Sequence, residues 1–324
     1  MTTKRERYLG TLVGVLCGDA LGAPYETWDT KRVQEDLTRR GGLTAFDYPD
    51  PWERSGVFPK GRPTDDSDHT AALAMSIVAC GGVNQEDIFT RLRAVTFGHH
   101  SPLWDGKAVG AGKTTRNMLR PASWQESQVL GSVGAFPSNG SLMRAAPLAL
   151  YFGYENVVCS RTVQKASEVT HRHPIANDCC FAYCRILGAL LEGKEPWESF
   201  ELARTGPYGG EVAAVLTHPK IEPRDPEVWP GRGAAVLTLQ VACWALVRAR
   251  SFCEGLTDVI GIGGDTDTYG AVAGGLLGAR FGIAGIPSEW RDVLLGRHVM
   301  EALAERLFES AHPEKGDPIC SIQH

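Results

Sequence analysis

The chain has 324 residues, a hydrophobic content of 43%, a charged content of 22% and a formal net charge of -5. These values are ordinary for a soluble globular protein. The length allows one large domain, since single hydrophobic cores stop growing at about 250 to 300 residues. The acidic balance argues against nucleic acid as the main partner. No apolar run reaches the ~18 uninterrupted residues of a membrane span, so we expect no membrane association.

The nine cysteines are odd in number and stand mostly in apolar helical runs. This usage indicates reduced core residues and not a disulfide framework. No early apolar run has the basic flank and cleavage site of a signal peptide. We therefore expect a cytoplasmic protein.

Hydrophobic residues recur with the 3.6-residue period of helices, and alternating period-2 runs are almost absent. The pattern predicts an all-α protein, which we expect to be a single compact multi-helix orthogonal bundle. This domain would cover residues 1–310. Residues 311–324 would follow it as a flexible tail. The first predicted helix runs from after Glu6 to about Leu21, and its glycines would allow close packing against a neighbour.

A short helix is predicted over Thr30–Arg40, followed by a long loop over 41–62 that would line a site. Residues 208–233 read as a surface excursion because they are rich in Pro, Gly and charge. Further helices are predicted over 84–97, 156–169, 177–191, 195–204 and 233–247, with a final helix that ends near residue 307. Residues 251–259 lead into the acidic segment that follows them.

The helix after Pro63 begins with an unusual number of acidic and hydroxyl side chains. Pro63 and Thr64 are typical of a helix start, and acids are favourable in the first turn. One cap needs only one acceptor, however, so Thr64, Asp65 and Asp66 together exceed what capping requires. Capping alone and a ligand site both stay open at this point.

A second acidic entrance has the sequence GIGGDTDT over residues 261–268 and precedes an apolar run of small residues. On a regular helix Asp265 and Thr268 share a face and Asp267 points elsewhere, so the three can converge only at the non-helical entrance. Two such clusters in one chain indicate a shared cation. Carboxylates and hydroxyls without paired Cys or His are hard ligands, which favour Mg²⁺, Mn²⁺ or Ca²⁺ over Zn²⁺.

Two more acids belong to the N-terminal segment. Asp19 lies inside the first predicted helix, where a buried carboxylate needs a partner, and backbone amides are the commonest one. Glu26 falls just beyond the end of that helix.

Residues 106–115 (GKAVGAGKTT) look like a Walker A loop, but the first glycine comes one residue too early. No strand-like run precedes this segment, so the motif also lacks its structural context. We expect the segment to enter a helix at Thr114 and to form part of a pocket wall.

Residues 131–141 form another glycine-rich turn, and residues 142–151 are predicted as a helix with a kink at Pro147. Backbone amides at such a helix entrance bind anions, so a pyrophosphate would fit there. Further on, His171 and His173 precede a proline. A hydrogen-bonding role is favoured over zinc because no third N or S ligand is near.

Four segments, in this order, resemble the ADP-ribosylglycohydrolases of the dinitrogenase-reductase-activating-glycohydrolase type. They are Gly18-Asp19-Ala-Leu-Gly22 with Glu26, Thr64-Asp65-Asp66, Ser138-Asn139-Gly140-Ser-Leu-Met143-Arg144, and Gly264-Asp265-Thr266-Asp267-Thr268. The resemblance runs from about residue 7 to about residue 307. It implies hydrolysis of the N-glycosidic bond between ADP-ribose and an arginine of a modified protein, with ADP-ribose as the product.

The resemblance and the acidic clusters together assign roles to the site residues. One of Glu26, Asp65 and Asp66 would be the base, and two divalent cations, Mg²⁺ or Mn²⁺, would be held near them. Glu26 would join the metal ligands, which otherwise are Thr64, Asp65, Asp66, Asp265, Asp267 and Thr268. The predicted substrate-binding residues are Phe136, Ser138, Asn139, Gly140, Ser141, His171, Gly264 and Tyr269.

The resemblance also implies details of how the substrate binds. The loop around Asn139 and Gly140 would cradle the diphosphate and a ribose, Phe136 would stack on adenine, and His171 would lie close to the bound ADP-ribose.

Several positions depart from the family pattern. A threonine is more usual at Ser67, an uncharged pair is more usual at Asp68 and His69, and a smaller residue is expected at Tyr269. Linkage preference is therefore open, and an O-linked substrate such as ADP-ribosylserine, or a free ADP-ribose derivative, is an alternative. Two further alternatives are an inactive binding or structural relative and a metal-dependent phosphohydrolase. The sequence contains no signal for a particular oligomeric state.

Overall fold

The computed structural model describes residues 2–43, 59–98, 100–130, 136–156, 160–220 and 233–313. Over these ranges it contains sixteen α-helices, two 3-10 turns and no strand, and an isolated bridge joins Ser138 to Ala234. The prediction of an all-α protein is confirmed. The helices are α1 (Lys4–Gly22), α2 (Thr30–Arg40), α3 (Asp65–Cys80), α4 (Gln85–Gly98), α5 (Lys113–Leu119), α6 (Trp124–Val129), α7 (Ala146–Asn156), α8 (Ser160–Glu168), α9 (Pro174–Leu191), α10 (Pro196–Ala203), α11 (Gly210–Thr217), α12 (Ala235–Arg248), α13 (Phe252–Ile260), α14 (Thr266–Phe281), α15 (Ser288–Arg291) and α16 (Arg297–Ala311).

Two sequence predictions lie partly or mainly outside the described residues. Most of the predicted long loop over 41–62 does so, and so does the predicted tail from residue 314 onward. Among the helices that are described, none is both long enough and apolar enough to cross a membrane.

The centre of the fold is the antiparallel pair of α1 and α14, which are buried along nearly their whole lengths. Glycines face each other across this pair. A Cβ atom built on Gly14 would lie 2.2 Å from the carbonyl oxygen of Gly274, and one on Gly18 would lie 1.9 Å from that of Gly270. Only glycine permits backbones this close. The pairing brings the end of α1 to the start of α14.

The start of α1 differs from the prediction, because the helix begins at Lys4 and not after Glu6. A capping box explains the difference. The hydroxyl of Thr3 accepts a hydrogen bond from the Glu6 backbone amide, and the Glu6 carboxylate accepts one from the Thr3 amide at 2.7 Å. The polar residues that precede the apolar run therefore form the first turn of α1.

The prediction of one helix over 142–151 with a kink at Pro147 is wrong about where the helix starts and about the effect of Pro147. Residues 140–144 form turns, and α7 begins only at Ala146. Pro147 is therefore the second residue of the helix, where its missing N–H breaks no helical hydrogen bond. The backbone is non-helical at Gly153, which has φ 64°.

The predicted surface excursion over 208–233 contains a helix that the sequence pattern does not predict. In α11, Val212, Val215 and Leu216 are buried. The remainder of that excursion, residues 221–232, lies outside the described part of the chain.

Candidate active site

Segments that are far apart in the sequence meet around one cleft of about 380 Å³. The structure brings the two acidic helix entrances together here, and the roles of their side chains stay predictions. The predicted site residues that line the cleft are Glu26, Asp65, Asp66, Phe136, Ser138, Asn139, Gly140, His171, Gly264, Asp265, Asp267 and Thr268.

Glu26 is positioned by a strained turn. Thr27 has φ 70°, a left-handed value that is uncommon for a residue other than glycine. Its backbone amide donates to the carbonyl oxygen of Gly264 at 2.7 Å, and the Gly264 amide donates to the Trp28 carbonyl at 2.8 Å. These two bonds fasten the segment after α1 to the residue that precedes Asp265.

Asp265 is held by the loop before α7. The side-chain amide of Asn139 donates to Asp265 Oδ2 at 2.7 Å and to Thr238 Oγ1 at 2.9 Å. The Asn139 backbone amide donates to the Gly233 carbonyl at 2.9 Å. Asn139 thus connects the loop before α7, the start of α12 and the start of α14.

Asp19 is fully buried and ties α1 to the start of α3. Its carboxylate accepts hydrogen bonds from the backbone amides of Thr64 and Ser67 and from both of their hydroxyls, at 2.5 to 3.1 Å. The orphan amides of a helix N-terminus are satisfied in this way. The interpretation of Asp19 as a partner of backbone amides agrees with this geometry. Burial nevertheless raises the pKa of Asp19 to about 6.

The carboxylates around the cleft destabilise one another's charged forms. Burial first, and then repulsion from neighbouring acids, raises the pKa of Glu26, Asp65, Asp66 and Asp267. Burial also raises the pKa of Asp265, although hydrogen bonds from Asn139 and Thr268 lower it in part. Such a cluster keeps its full charge only if a cation neutralises it.

The donor set fits a hard divalent cation. Ligand oxygens of Glu26, Asp265 and Asp267 lie within 4.8 Å of one another. Asp66 Oδ1 is buried and has no hydrogen-bond partner among the described residues. A buried carboxylate oxygen without a donor is costly unless a cation lies beside it. These groups could therefore hold a metal.

A chain of buried polar groups supports Ser138 and Gly140, which line the cleft. Arg144 donates to the Gly140 carbonyl and to Thr170 Oγ1, both at 2.7 Å. Thr170 Oγ1 is 2.7 Å from His171 Nδ1, and His171 Nε2 is 3.0 Å from Ser138 Oγ. Because a guanidinium only donates, this order suits a Thr170 hydroxyl that donates to Nδ1 and an Nε2–H that donates to Ser138. Burial, then Arg144, lowers the pKa of His171, so its ring is neutral.

Three predicted site residues do not line the cleft. Thr64 Oγ1 lies 2.8 Å from Asp19 and 3.0 Å from Asp66, behind the lining residues. Ser141 is buried against Ser167 and Cys180. Tyr269 is fully buried on α14. The expectation that the Tyr269 ring could narrow the cleft has no support in this placement.

Other lining residues were not among the predicted site residues. Lys113 is the one lysine or arginine among the described residues that line the cleft, and the remaining additions are Thr27, Gly110, Gly112, Thr114, Thr115, Met143 and Gly233. The expectation that the segment before Thr114 forms part of the pocket wall agrees with the structure. The glycines of its Walker-like sequence were the signal by which these lining residues could have been predicted.

Asp68 provides a pH-dependent test of the region around α3. It is fully buried, and burial raises its pKa to about 7, against a hydrogen bond from Ser101. The unfolded chain loses this proton near pH 4, so the folded protein binds more protons between about pH 4 and 7. The free energy of unfolding therefore falls as pH rises through this window.

Asp68→Asn is expected to make this fall smaller and to raise the free energy of unfolding at pH 8, on the order of 4 kcal/mol at most. Urea unfolding in EDTA at pH 4.5 and pH 8 measures it. The control is Asp292→Asn, at an exposed residue paired with Arg297, which should leave the pH dependence unchanged. An unchanged slope in Asp68→Asn would contradict the assignment.

Comparisons with known proteins agree with this geometry. The sequence model of the ADP-ribosylglycohydrolase family matches residues 1–316. The chain is similar to ADP-ribosylarginine hydrolase Tri1 of Pseudomonas putida (strain GB-1), with 26% identity over 319 residues, 94% of this chain and 79% of that protein. It is similar to ADP-ribosyl-(dinitrogen reductase) glycohydrolase of Rhodospirillum rubrum, with 27% identity over 294 residues, 89% of this chain and 90% of that one.

A solved structure titled ADP-ribosylglycohydrolase-related protein complex has the same fold, with a TM-score of 0.76 and 28% identity. The match covers 96% of this chain and 100% of that chain. The fold, the acidic cleft and these matches define a glycosyl hydrolase. The chain belongs to the ADP-ribosylglycohydrolase family, and the resemblance described from the sequence is confirmed.

Proposed function

We propose that the protein hydrolyses the N-glycosidic bond between ADP-ribose and an arginine side chain of a modified protein. Water would be consumed, ADP-ribose released and the guanidinium restored. One observation carries the proposal: a single cleft joins five carboxylates to the Ser138–Asn139–Gly140 loop and to Lys113. The carboxylates suit chemistry at a sugar carbon, and the loop and Lys113 suit a diphosphate.

The substrate would lie along the cleft with its charged groups separated. Lys113 provides positive charge for the diphosphate, and Ser138 and Asn139 provide hydrogen-bonding groups for its oxygens or for a ribose hydroxyl. Phe136 is 40% exposed and offers a ring face to adenine. The acidic end of the cleft would then receive the ribose that carries the scissile bond.

Two divalent cations, Mg²⁺ or Mn²⁺, are part of the proposal, with Asp65, Asp66, Asp265, Asp267 and Thr268 as their principal protein ligands. Two such ions would nearly neutralise the clustered carboxylates, which a single ion would leave strongly negative. When bound, they would orient the ribose hydroxyls and lower the pKa of the attacking water.

The protein's own carboxylates account for the bond cleavage. Positive charge develops on the ribose as its anomeric carbon separates from the guanidine nitrogen, and nearby carboxylates stabilise that charge. Glu26 is our preferred base because it is exposed at the cleft, whereas Asp65 and Asp66 are buried. Partial desolvation of its carboxylate at the cleft, and then the charge of Asp265, raise the pKa of Glu26, which makes it a better proton acceptor.

Charge also supports the arginine linkage. The guanidine that leaves the ribose takes up a proton and becomes a cation, and an acidic cleft stabilises a departing cation more than a neutral serine hydroxyl. An ADP-ribosylated protein is therefore the proposed partner. The free state of the described cysteines supports a reducing, cytoplasmic setting.

The direct test is release of ADP-ribose from an arginine-ADP-ribosylated protein with Mn²⁺ or Mg²⁺, and again with EDTA. We expect intact ADP-ribose in the presence of metal and none with EDTA. A serine-ADP-ribosylated protein and free ADP-ribose derivatives serve as parallel substrates. Cleavage confined to either of these would overturn the arginine linkage, and AMP or phosphate as product would identify a phosphohydrolase instead.

A further inference from the structure

A second cavity lies beside the cleft and shares two of its lining residues. Its volume is about 270 Å³, and both it and the cleft are lined by Asp65 and Gly110. His69, Thr96 and Arg116 also line this side cavity. Asp65 therefore separates two spaces, one that holds the proposed chemistry and one that the proposed function does not use.

The Asp65 carboxylate is confined on one side by the backbone of Gly110. A Cβ atom built on Gly110 would lie 2.2 Å from Asp65 Oδ1, and Gly110 has φ +110°. A side chain there would collide with the carboxylate and strain the backbone. The contact limits how far Oδ1 can move.

The other oxygen faces His69, one helical turn further along α3. His69 is fully buried, and its Nε2 lies 3.1 Å from Thr96 Oγ1. Its Nδ1 has no hydrogen-bond partner among the described residues and is 3.9 Å from Asp65 Oδ2. That separation is too long for a direct hydrogen bond and suits one intervening water. The side cavity, which both residues line, has room for it.

We propose that His69 is a positioning residue for Asp65, acting through a water molecule held in the side cavity between His69 Nδ1 and Asp65 Oδ2. The water donates one hydrogen to Nδ1 and the other to Oδ2, while Nε2–H donates to Thr96. Asp65 is then fixed by Gly110 at one oxygen and by this water at the other. The remaining lone pairs of its carboxylate stay directed toward the cleft.

The inference rests on the proposed function, in that Asp65 is taken as a metal ligand. Groups that orient a ligating carboxylate affect metal affinity, commonly by about 10- to 100-fold when they are removed. His69 never touches the substrate in this arrangement. Its effect should therefore appear in metal binding even when no substrate is present.

Two substitutions separate the two ring nitrogens. Asn at position 69 keeps a polar atom near the place of Nδ1, whereas Gln keeps one near the place of Nε2. We expect His69→Gln to weaken Mn²⁺ binding by about tenfold or more. His69→Asn should stay within about threefold of the unsubstituted protein, given the modest net value of one such hydrogen bond. Thr90→Val, at an exposed threonine of the same helix as Thr96, is the matched control and should bind Mn²⁺ normally.

The measurement is Mn²⁺ titration followed by electron paramagnetic resonance of the free ion, with circular dichroism to confirm that each variant is folded. Weaker binding in His69→Gln together with rescue in His69→Asn would support the proposal. Equal affinity in both variants, or equal loss in both, would overturn it. Because no hydrolysis is measured, absence of arginine activity would overturn the proposed function alone, and weaker Mn²⁺ binding in His69→Gln than in His69→Asn would still support the role of His69. The reverse order would overturn that role.

Discussion

Asp267→Asn is expected to abolish hydrolysis of ADP-ribosylarginine while making the metal-free protein more stable. Burial and the neighbouring Asp66, Asp265 and Glu26 raise the pKa of Asp267, so its ionised form is destabilising near neutral pH when no cation is present. Asparagine removes that charge and keeps an oxygen that can accept the 2.8 Å hydrogen bond from the Thr268 amide. The same change removes a proposed metal ligand.

The two effects should be measured on the same preparation. Turnover should fall by at least about 100-fold, because replacing a residue that only orients a metal ligand already lowers activity by up to that factor. The midpoint of thermal unfolding in EDTA should rise, and added Mn²⁺ should stabilise the variant less than the unsubstituted protein. Asp292→Asn, on the surface, should change none of these quantities.

The opposite signs are what make this test decisive. A residue that only caps α14 would lower both stability and activity when its charge is removed. If Asp267→Asn unfolds at a lower temperature than the unsubstituted protein in EDTA, capping is its main role and the metal proposal loses one of its central ligands.

The acidic entrances can be predicted from the sequence because their signal is local. A cap needs one acceptor, so the oxygens at Thr64, Asp65 and Asp66 exceed what capping requires, and together with the second acidic entrance they predict a ligand site. The role of Asp19 can be anticipated for a similar reason, since a buried carboxylate must find donors. These arguments cannot predict which of the oxygens that capping does not need face the cleft. Thr64 does not, because its hydroxyl is engaged by Asp19 and Asp66.

The features that the sequence does not predict depend on contacts between distant segments. The late start of α7 reflects the pairing of residues 137–139 with residues 233–235, which holds the preceding loop away from helical geometry. The contact of Gly110 with Asp65 joins segments that are 45 residues apart in the sequence. Neither contact has a periodic or local signature, so hydrophobic patterning could not predict it.

Gly18→Ala is expected to produce the largest loss of stability. The added Cβ would lie 1.9 Å from the Gly270 carbonyl oxygen and 2.3 Å from its carbon, and both are backbone atoms that cannot rotate away. The helices must separate, which opens packing defects along a pair that is buried nearly throughout. We expect the free energy of unfolding to fall by about 3 kcal/mol or more.

The control is Gly98→Ala at the end of α4, where no other described residue lies within 4 Å of the added atom. That change should be neutral or slightly stabilising, because alanine loses less backbone entropy on folding. Urea unfolding of the two variants gives the comparison directly. If Gly18→Ala is as stable as Gly98→Ala, the close approach of α1 and α14 is not what holds the fold together.

The same helix pair also predicts a gradient in activity. A Cβ atom built on Gly10, Gly14 or Gly22 would lie 2.3, 2.2 or 2.1 Å from the carbonyl oxygen of Gly278, Gly274 or Thr266, respectively. Alanine at each position should cost similar stability, but only Gly22 lies beside the turn that carries Glu26 and the entrance that carries Asp267. Turnover of the folded fraction should therefore fall most in Gly22→Ala and least in Gly10→Ala. Equal turnover across the series would mean that the spacing of the two helices does not set the geometry of the acidic cluster.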